Sequence, residues 1–98
     1  MNVQKLLRQA QEMQQKMEKE QAETFAEGSV GGGLVKVKMD GHKQIVQVKI
    51  DPEAVDLTDL SLLEDLIVAA AGEASRKMDE TLREKFGSMM SGGMPNLF

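Results

Sequence analysis

The stretch from Gly28 to Ile50, GSVGGGLVKVKMDGHKQIVQVKI, decides how the chain is read. Leu34 to Met39 alternates, with Val35, Val37 and Met39 on one face. Gln44 to Ile50 alternates again, with Val46, Val48 and Ile50 on one face and Gln47 and Lys49 on the other. Period-two alternation marks half-buried strands, and Asp40-Gly41 marks the turn between these two. Thr24 to Val30 has no helical period, contains Gly28 and reads as a short strand ahead of both. A four-residue loop, Asp40 to Lys43, would pair Val37 with Val46 and Val35 with Val48, apolar against apolar. Lys36, Lys38 and Lys49 then share the opposite, wet face.

The glycines raise the question of a phosphate loop. A Walker A loop needs G-x-x-x-x-G-K-[ST], because the Lys reaches the terminal phosphates and the hydroxyl holds magnesium. Gly28-Ser-Val-Gly31-Gly32-Gly33 runs into Leu34-Val35, with no Lys-Ser or Lys-Thr pair. A dinucleotide fingerprint would enter a helix, and this run enters a strand. Gly31-Gly32 instead suits a hairpin turn that needs positive φ.

Helices flank the strands on either side. Residues 2–22 carry Val3, Leu6, Ala10, Met13 and Met17 at spacings of three and four, with no Gly or Pro between. That stripe can pack on the domain's own sheet or second helix, or partly on a second subunit. Asp51-Pro52 ends the third strand. Ser61-Leu-Leu-Glu64 reads as a capping box opening a second helix. Its buried stripe would be Leu63, Ile67, Ala70, Ala74, Met78 and Leu82, and Gly87 is its expected stop. Ala69-Ala70-Ala71-Gly72 is a small-residue patch where another backbone can approach. The order is helix, three-stranded antiparallel meander, helix: an α+β fold with one domain at 1–87 and a mobile Gly/Met/Pro tail at 88–98. A helix from Ser61 to Phe86 would be roughly 39 Å long. A compact globule of this size is only about 30 Å across. The first helix and the end of the second can cover one another as a projecting arm, and a second copy is expected to cover the apolar sheet and the Ala-rich patch. The residues expected at that dimer interface are Val35, Val37, Val46, Val48, Ile67, Ala70 and Ala71.

Composition narrows the chemistry. The 98 residues include no cysteine and a single histidine, His42, in the expected turn. Disulfides and thiolate metal sites are excluded, and no His cluster with metal-ligand spacing is present. Neither a catalytic constellation nor a cofactor motif is recognisable, so no enzyme, metal, cofactor or small-molecule substrate is expected. The longest apolar run, Leu66 to Ala71, is too short for a membrane span. The opening MNVQKLLRQAQ turns polar too soon for a signal peptide. The expectation is a soluble, cytoplasmic protein. With three Phe and no Trp or Tyr, base-stacking platforms are disfavoured.

The net charge of -4 is concentrated in residues 51–75, which hold seven acidic and no basic residues. The rest of the chain is weakly basic, and a polyanion responds to local field more than to the total. The basic candidates are Lys5, Arg8, Lys16 and Lys19 on the first helix and Arg76, Lys77, Arg83 and Lys85 on the second. If the helices run antiparallel, Lys5 and Arg8 would cluster with Arg83 and Lys85 at an arm tip. The bland alternative is ordinary surface pairs such as Arg8–Glu12.

Three blocks together resemble the YbaB/EbfC family of bacterial nucleoid-associated proteins: MNVQKLLRQAQEMQQKMEK, EGSVGGGLVKVKMDGHKQIVQVKIDPE and LLEDLIVAAAGEASRKM, with a Gly/Met/Pro tail ending in Phe98. The resemblance covers nearly the whole chain. It implies an α-β-β-β-α subunit and a tweezer-like homodimer. It also implies double-stranded DNA as partner, a place at the nucleoid, and no enzymatic activity or metal. It places DNA contacts on the helical arms, at Lys5 and Arg8 first, then Arg83 and Lys85, with Lys16 and Lys19 further along the first helix. A protein-interaction adaptor with no direct role for DNA is the alternative, to which Met13, Met17, Met78, Met89 and Met90 would lend an adaptable surface. A hydrolase rests on the glycines alone.

Overall fold

The computed structural model describes residues 2–93, with side chains through residue 87. Helix α1 spans Val3–Ala22. Strands β1, Phe25–Val30, β2, Val35–Asp40, and β3, Ile45–Ile50, follow as an antiparallel meander in the order β1-β2-β3. A single 3₁₀ turn at Pro52–Ala54 leads to helix α2, Leu60–Gly93. The α-β-β-β-α architecture is the one expected.

Local chemistry sets the boundaries. Asn2 caps α1, its side-chain oxygen accepting from the Lys5 backbone N–H at 3.2 Å. Asp51 does the same for the 3₁₀ turn, accepting from the Glu53 N–H at 3.0 Å. Helix α2 begins one residue before the expected capping box, and the Ser61 hydroxyl donates to Asp59 at 2.6 Å. Gly87 does not end the helix, which continues to Gly93. The far end of the expected tail, residues 94–98, lies outside the described residues.

The core lies between α2 and the inner face of β1 and β2. Val35, Val37, Met39, Ala70, Ala74 and Met78 form one buried cluster, and Leu63, Ile67 and Leu82 pack against it. The apolar stripe expected on α2 is therefore the face it buries. Gly28 makes this packing possible. A Cβ there would sit 2.4 Å from the Ala74 backbone nitrogen and closer still to the Ala70 carbonyl oxygen. The backbone that approaches the small-residue patch is thus the chain's own β1.

Gly31, Gly32 and Gly33 all have positive φ, at 66°, 71° and 97°. The turn spans Gly31 to Leu34, longer than the two-residue turn the sequence suggested, and Val30 pairs with Val35 across it.

The second hairpin has a different register from the one expected. Val37 pairs with Val48 and Val35 with Ile50, with a bulge between Lys38 and Met39. The reason lies in the turn. Asp40 stays in the ladder, its N–H donating to the Gln44 carbonyl at 3.0 Å, so the loop is three residues, Gly41 to Lys43. The Asp40 carboxylate accepts from the backbone N–H groups of His42 at 2.9 Å and Gln44 at 3.0 Å. Lys43 takes the left-handed conformation, φ 63°, that closes such loops. The three-residue loop alone would set Val37 opposite Gln47; the bulge, at which Val46 has no partner, moves the register one residue further, so that Val37 meets Val48 and apolar faces apolar. The faces survive the shift: Lys36, Lys38 and Lys49 remain on the side opposite the core, and Lys36 now lies opposite Lys49 where the expected register had Gln47.

The chain is long, with extents of 69 × 25 × 17 Å and a radius of gyration of 18.8 Å, against about 13 Å for a compact chain of this length. It exposes 7450 Å², where a compact chain of its mass would expose roughly 5,500 Å².

Candidate nucleic-acid interface

Helix α1 lies outside the core: none of its residues is buried. Its apolar stripe stays bare, with Val3, Leu6 and Met13 each more than half exposed. At 3.6 residues per turn, Lys5, Arg8, Lys16 and Lys19 fall within an arc of about 80° on the other side of the helix. Glu12 lies in the same arc. Among the described residues the ion pairs are Lys43–Asp79 at 2.9 Å and Lys77–Glu73 at 3.0 Å, so Arg8–Glu12 is not one of them. The four cations form a track roughly 21 Å long from Lys5 to Lys19.

The base of this arm is fixed by close contacts. The Gly41 N–H donates to the Gln21 carbonyl at 2.8 Å, satisfying one of the open carbonyls at the end of α1. A Cβ on Gly41 would lie 2.4 Å from that oxygen. Gly41 is therefore required for close approach, a role its turn position conceals. Lys43 ties the same loop to Asp79 of α2. Thr24 is buried just past α1; its hydroxyl donates to the Glu20 carbonyl and accepts from the Lys85 ammonium at 2.8 Å.

That last contact separates the two pairs expected at one arm tip. Lys85 reaches Thr24, whereas Lys5 lies 19 residues earlier, roughly 28 Å up the axis of α1. Lys5 and Arg8 therefore stand alone at the outer end of α1. Arg83 and Lys85 are exposed on α2 near the arm's base. The sequence reading missed this because it had no way to set the axial offset of the two helices.

The expected interface residues also divide. Val35, Val37 and Ala70 are 0 % exposed within the chain, closing its own core. Ile67 and Ala71 are half-buried beside that core. Val46 and Val48 are open, and so is Ile50. Val48 and Ile50 share a face with Val37 and Val35, their partners across the ladder. Helix α2 covers β1 and β2 and leaves this part of β3 bare.

Two carboxyls on the acidic segment have lowered pKa values. The Thr58 hydroxyl and N–H hold Asp56 down, and the Lys77 ammonium does the same for Glu73. Both are surface contacts, in keeping with a solvated acidic face. Among the described residues no helix is long and apolar enough to cross a membrane.

The chain thus sets two long helices on a small antiparallel sheet, with the first helix unburied and carrying four cations along one side. Residues 1–94 match the family described as the YbaB/EbfC DNA-binding family, and the chain belongs to that family. A nucleoid-associated protein of Chloroflexus aurantiacus is 41 % identical over 101 residues, covering all of both chains. One from Dictyoglomus thermophilum is 44 % identical over 88 residues, covering 90 % of this chain and 85 % of its own. A third, from Koribacter versatilis, is 39 % identical over 95 residues, with coverage of 96 % and 94 %. The crystal structure of an uncharacterized Helicobacter pylori protein superposes with a TM-score of 0.73 at 20 % identity, covering 92 % of this chain and 98 % of that one. It shares the fold.

Proposed function

We propose that the chain binds duplex DNA as a homodimer in the bacterial cytoplasm, at the nucleoid, without catalysing a reaction. The observation that carries this reading is the bare arm: twenty residues of α1, none buried, with four cations along one side. Such a helix is costly to maintain in water unless something covers its apolar stripe, and its cations suit a phosphate backbone. Lys5 and Arg8, at the outer end, would reach DNA first, with Lys16 and Lys19 continuing the track. Arg83 and Lys85 would contribute nearer the base. A second subunit would cover the open part of β3 at Val46, Val48 and Ile50. The large exposed area of the single chain supports this, since stable dimers commonly bury 2,000 Å² or more.

The Lys5→Ala/Arg8→Ala variant tests the arm. Each lost phosphate contact should lower the salt slope of duplex binding by about 0.9, so the double variant should lose about 2 per arm engaged. An unchanged slope would remove the arm from the interface.

The adaptor reading draws on one further observation. Leu57, Leu60, Leu62 and Val68, within or beside the acidic segment, are exposed, Leu57 at 83 %. A pull-down that survives nuclease, together with no gel shift by the pure protein, would favour it.

A further inference from the structure

The side of the sheet that faces away from α2 is covered by no described element and carries its own cations. Lys36 of β2 lies directly opposite Lys49 of β3, and Lys38 lies two residues along β2 from Lys36. Same-face neighbours two apart on a strand are roughly 7 Å apart, and directly opposed side chains about 5 Å. Like charges directly opposite each other destabilise a sheet. Neither Lys36 nor Lys49 forms an ion pair among the described residues. Lys38 forms no ion pair among them either, but its ammonium sits 4.6 Å from the centre of the Phe25 ring, with Glu27 across from it on β1. Two like charges placed opposite each other in the ladder, with no counter-ion among the described residues, add nothing to stability. An anion spanning the pair would relieve the repulsion.

We infer that this outer sheet face is a second phosphate-contacting surface for duplex DNA, separate from the α1 arm. The inference rests on the DNA-binding reading and extends it. Lys36 and Lys49 are the primary contacts, Lys38 an adjoining one, and Glu27 the charge that opposes them. The chemistry is that of backbone contact: flexible ammonium groups without a fixed fork meet phosphate oxygens as point charges, so the face adds affinity and salt dependence but no base readout. Gln47, opposite Lys38, adds an uncharged hydrogen-bonding group to the same face.

The test is a duplex titration across a salt series with the intact chain, comparing Lys36→Gln/Lys49→Gln with the parent and with Lys43→Gln. Lys43 is a control because its ammonium is held by Asp79. The double variant should lose about 2 from the magnitude of the slope for each chain engaged, and Lys43→Gln should lose little. Glu27→Gln should bind more tightly than the parent. A thermal melt reports folding independently, and removing the like-charge pair should leave the double variant at least as stable as the parent. If the parent binds and the double variant keeps its slope, the sheet face is excluded while the arm reading stands. If the parent does not bind duplex at all, both fail. If the double variant instead loses binding to anionic vesicles while keeping duplex binding, the face recognises lipid headgroups and the inference is overturned.

Discussion

Two long helices leave the same small sheet, and they use their apolar stripes in opposite ways. In α2 the stripe Leu63, Ile67, Ala70, Ala74, Met78 and Leu82 packs into the chain's own core or against it. In α1 the equally regular stripe Val3, Leu6, Ala10, Met13 and Met17 contributes no buried residue. Periodicity specifies that a helix has a face to cover and is silent about what covers it. The first helix is held by its base alone, through Gly41 on Gln21, and its length is available for partners.

The comparison can be broken most forcefully at Gly28. Gly28→Val would drive a branched side chain into the backbone of α2 at Ala70 and Ala74. Neither backbone can yield as a flexible side chain could. The cost should exceed the usual range of about 1–3 kcal/mol for overpacking, and thermal melting should find little folded protein. Met78→Ala comes next, since Met78 is wholly buried. Truncation there should cost about 2–5 kcal/mol in a denaturant titration. The matched change on the bare helix, Met13→Ala, should cost under about 0.5 kcal/mol in the same titration at concentrations where the chain is monomeric. Equal losses from Met78→Ala and Met13→Ala would mean that α1 is not bare in solution.

Subunit association sharpens the contrast. Val48→Asp/Ile50→Asp places charge on the uncovered part of β3. Sedimentation of the parent at low micromolar concentration should give about twice the chain mass of 10.8 kDa, and the variant should sediment as a folded monomer. A parent that is already a monomer would contradict the dimer.

The smallest effect is that of pH. Asp56 and Glu73 have depressed pKa values, by Thr58 and Lys77 respectively. A depressed carboxyl stabilises the folded chain above its unfolded pKa, and that contribution disappears as pH falls through the folded value. The melting temperature should therefore decline slightly as pH falls below about 4, and Lys77→Ala should blunt the decline. An identical decline in Lys77→Ala would show that the Glu73 contact contributes nothing to stability.

Much of this was legible in the residues. Alternation in 34–39 and 44–50 marked the hairpin, and the spacing on α2 picked out the face it buries. What stayed hidden depended on contacts distant in sequence. Gly28 reads only as a strand residue and Gly41 as a turn residue, yet each is needed because another backbone passes within van der Waals distance. Gly87 looks like a helix stop, but a single interior glycine costs only about 1 kcal/mol, and α2 runs through it. The four arm cations were legible as residue types. Their shared side of α1, and the gap between Lys5 and Lys85, required the helix axes. The like-charge pair Lys36–Lys49 was equally hidden, because it depends on a register set by the three-residue loop together with the bulge at Val46.

The proposal for this elongated, net-acidic chain is a grip on duplex DNA through local basic surfaces. Its most direct test is the affinity of the unmodified protein for a labelled duplex measured across a salt series. Two or three phosphate contacts per arm in a dimer predict a slope of log affinity against log salt of roughly -4 to -5 from the arms alone, steeper where the sheet face engages as well. A slope near zero, or no binding at low salt, would contradict it.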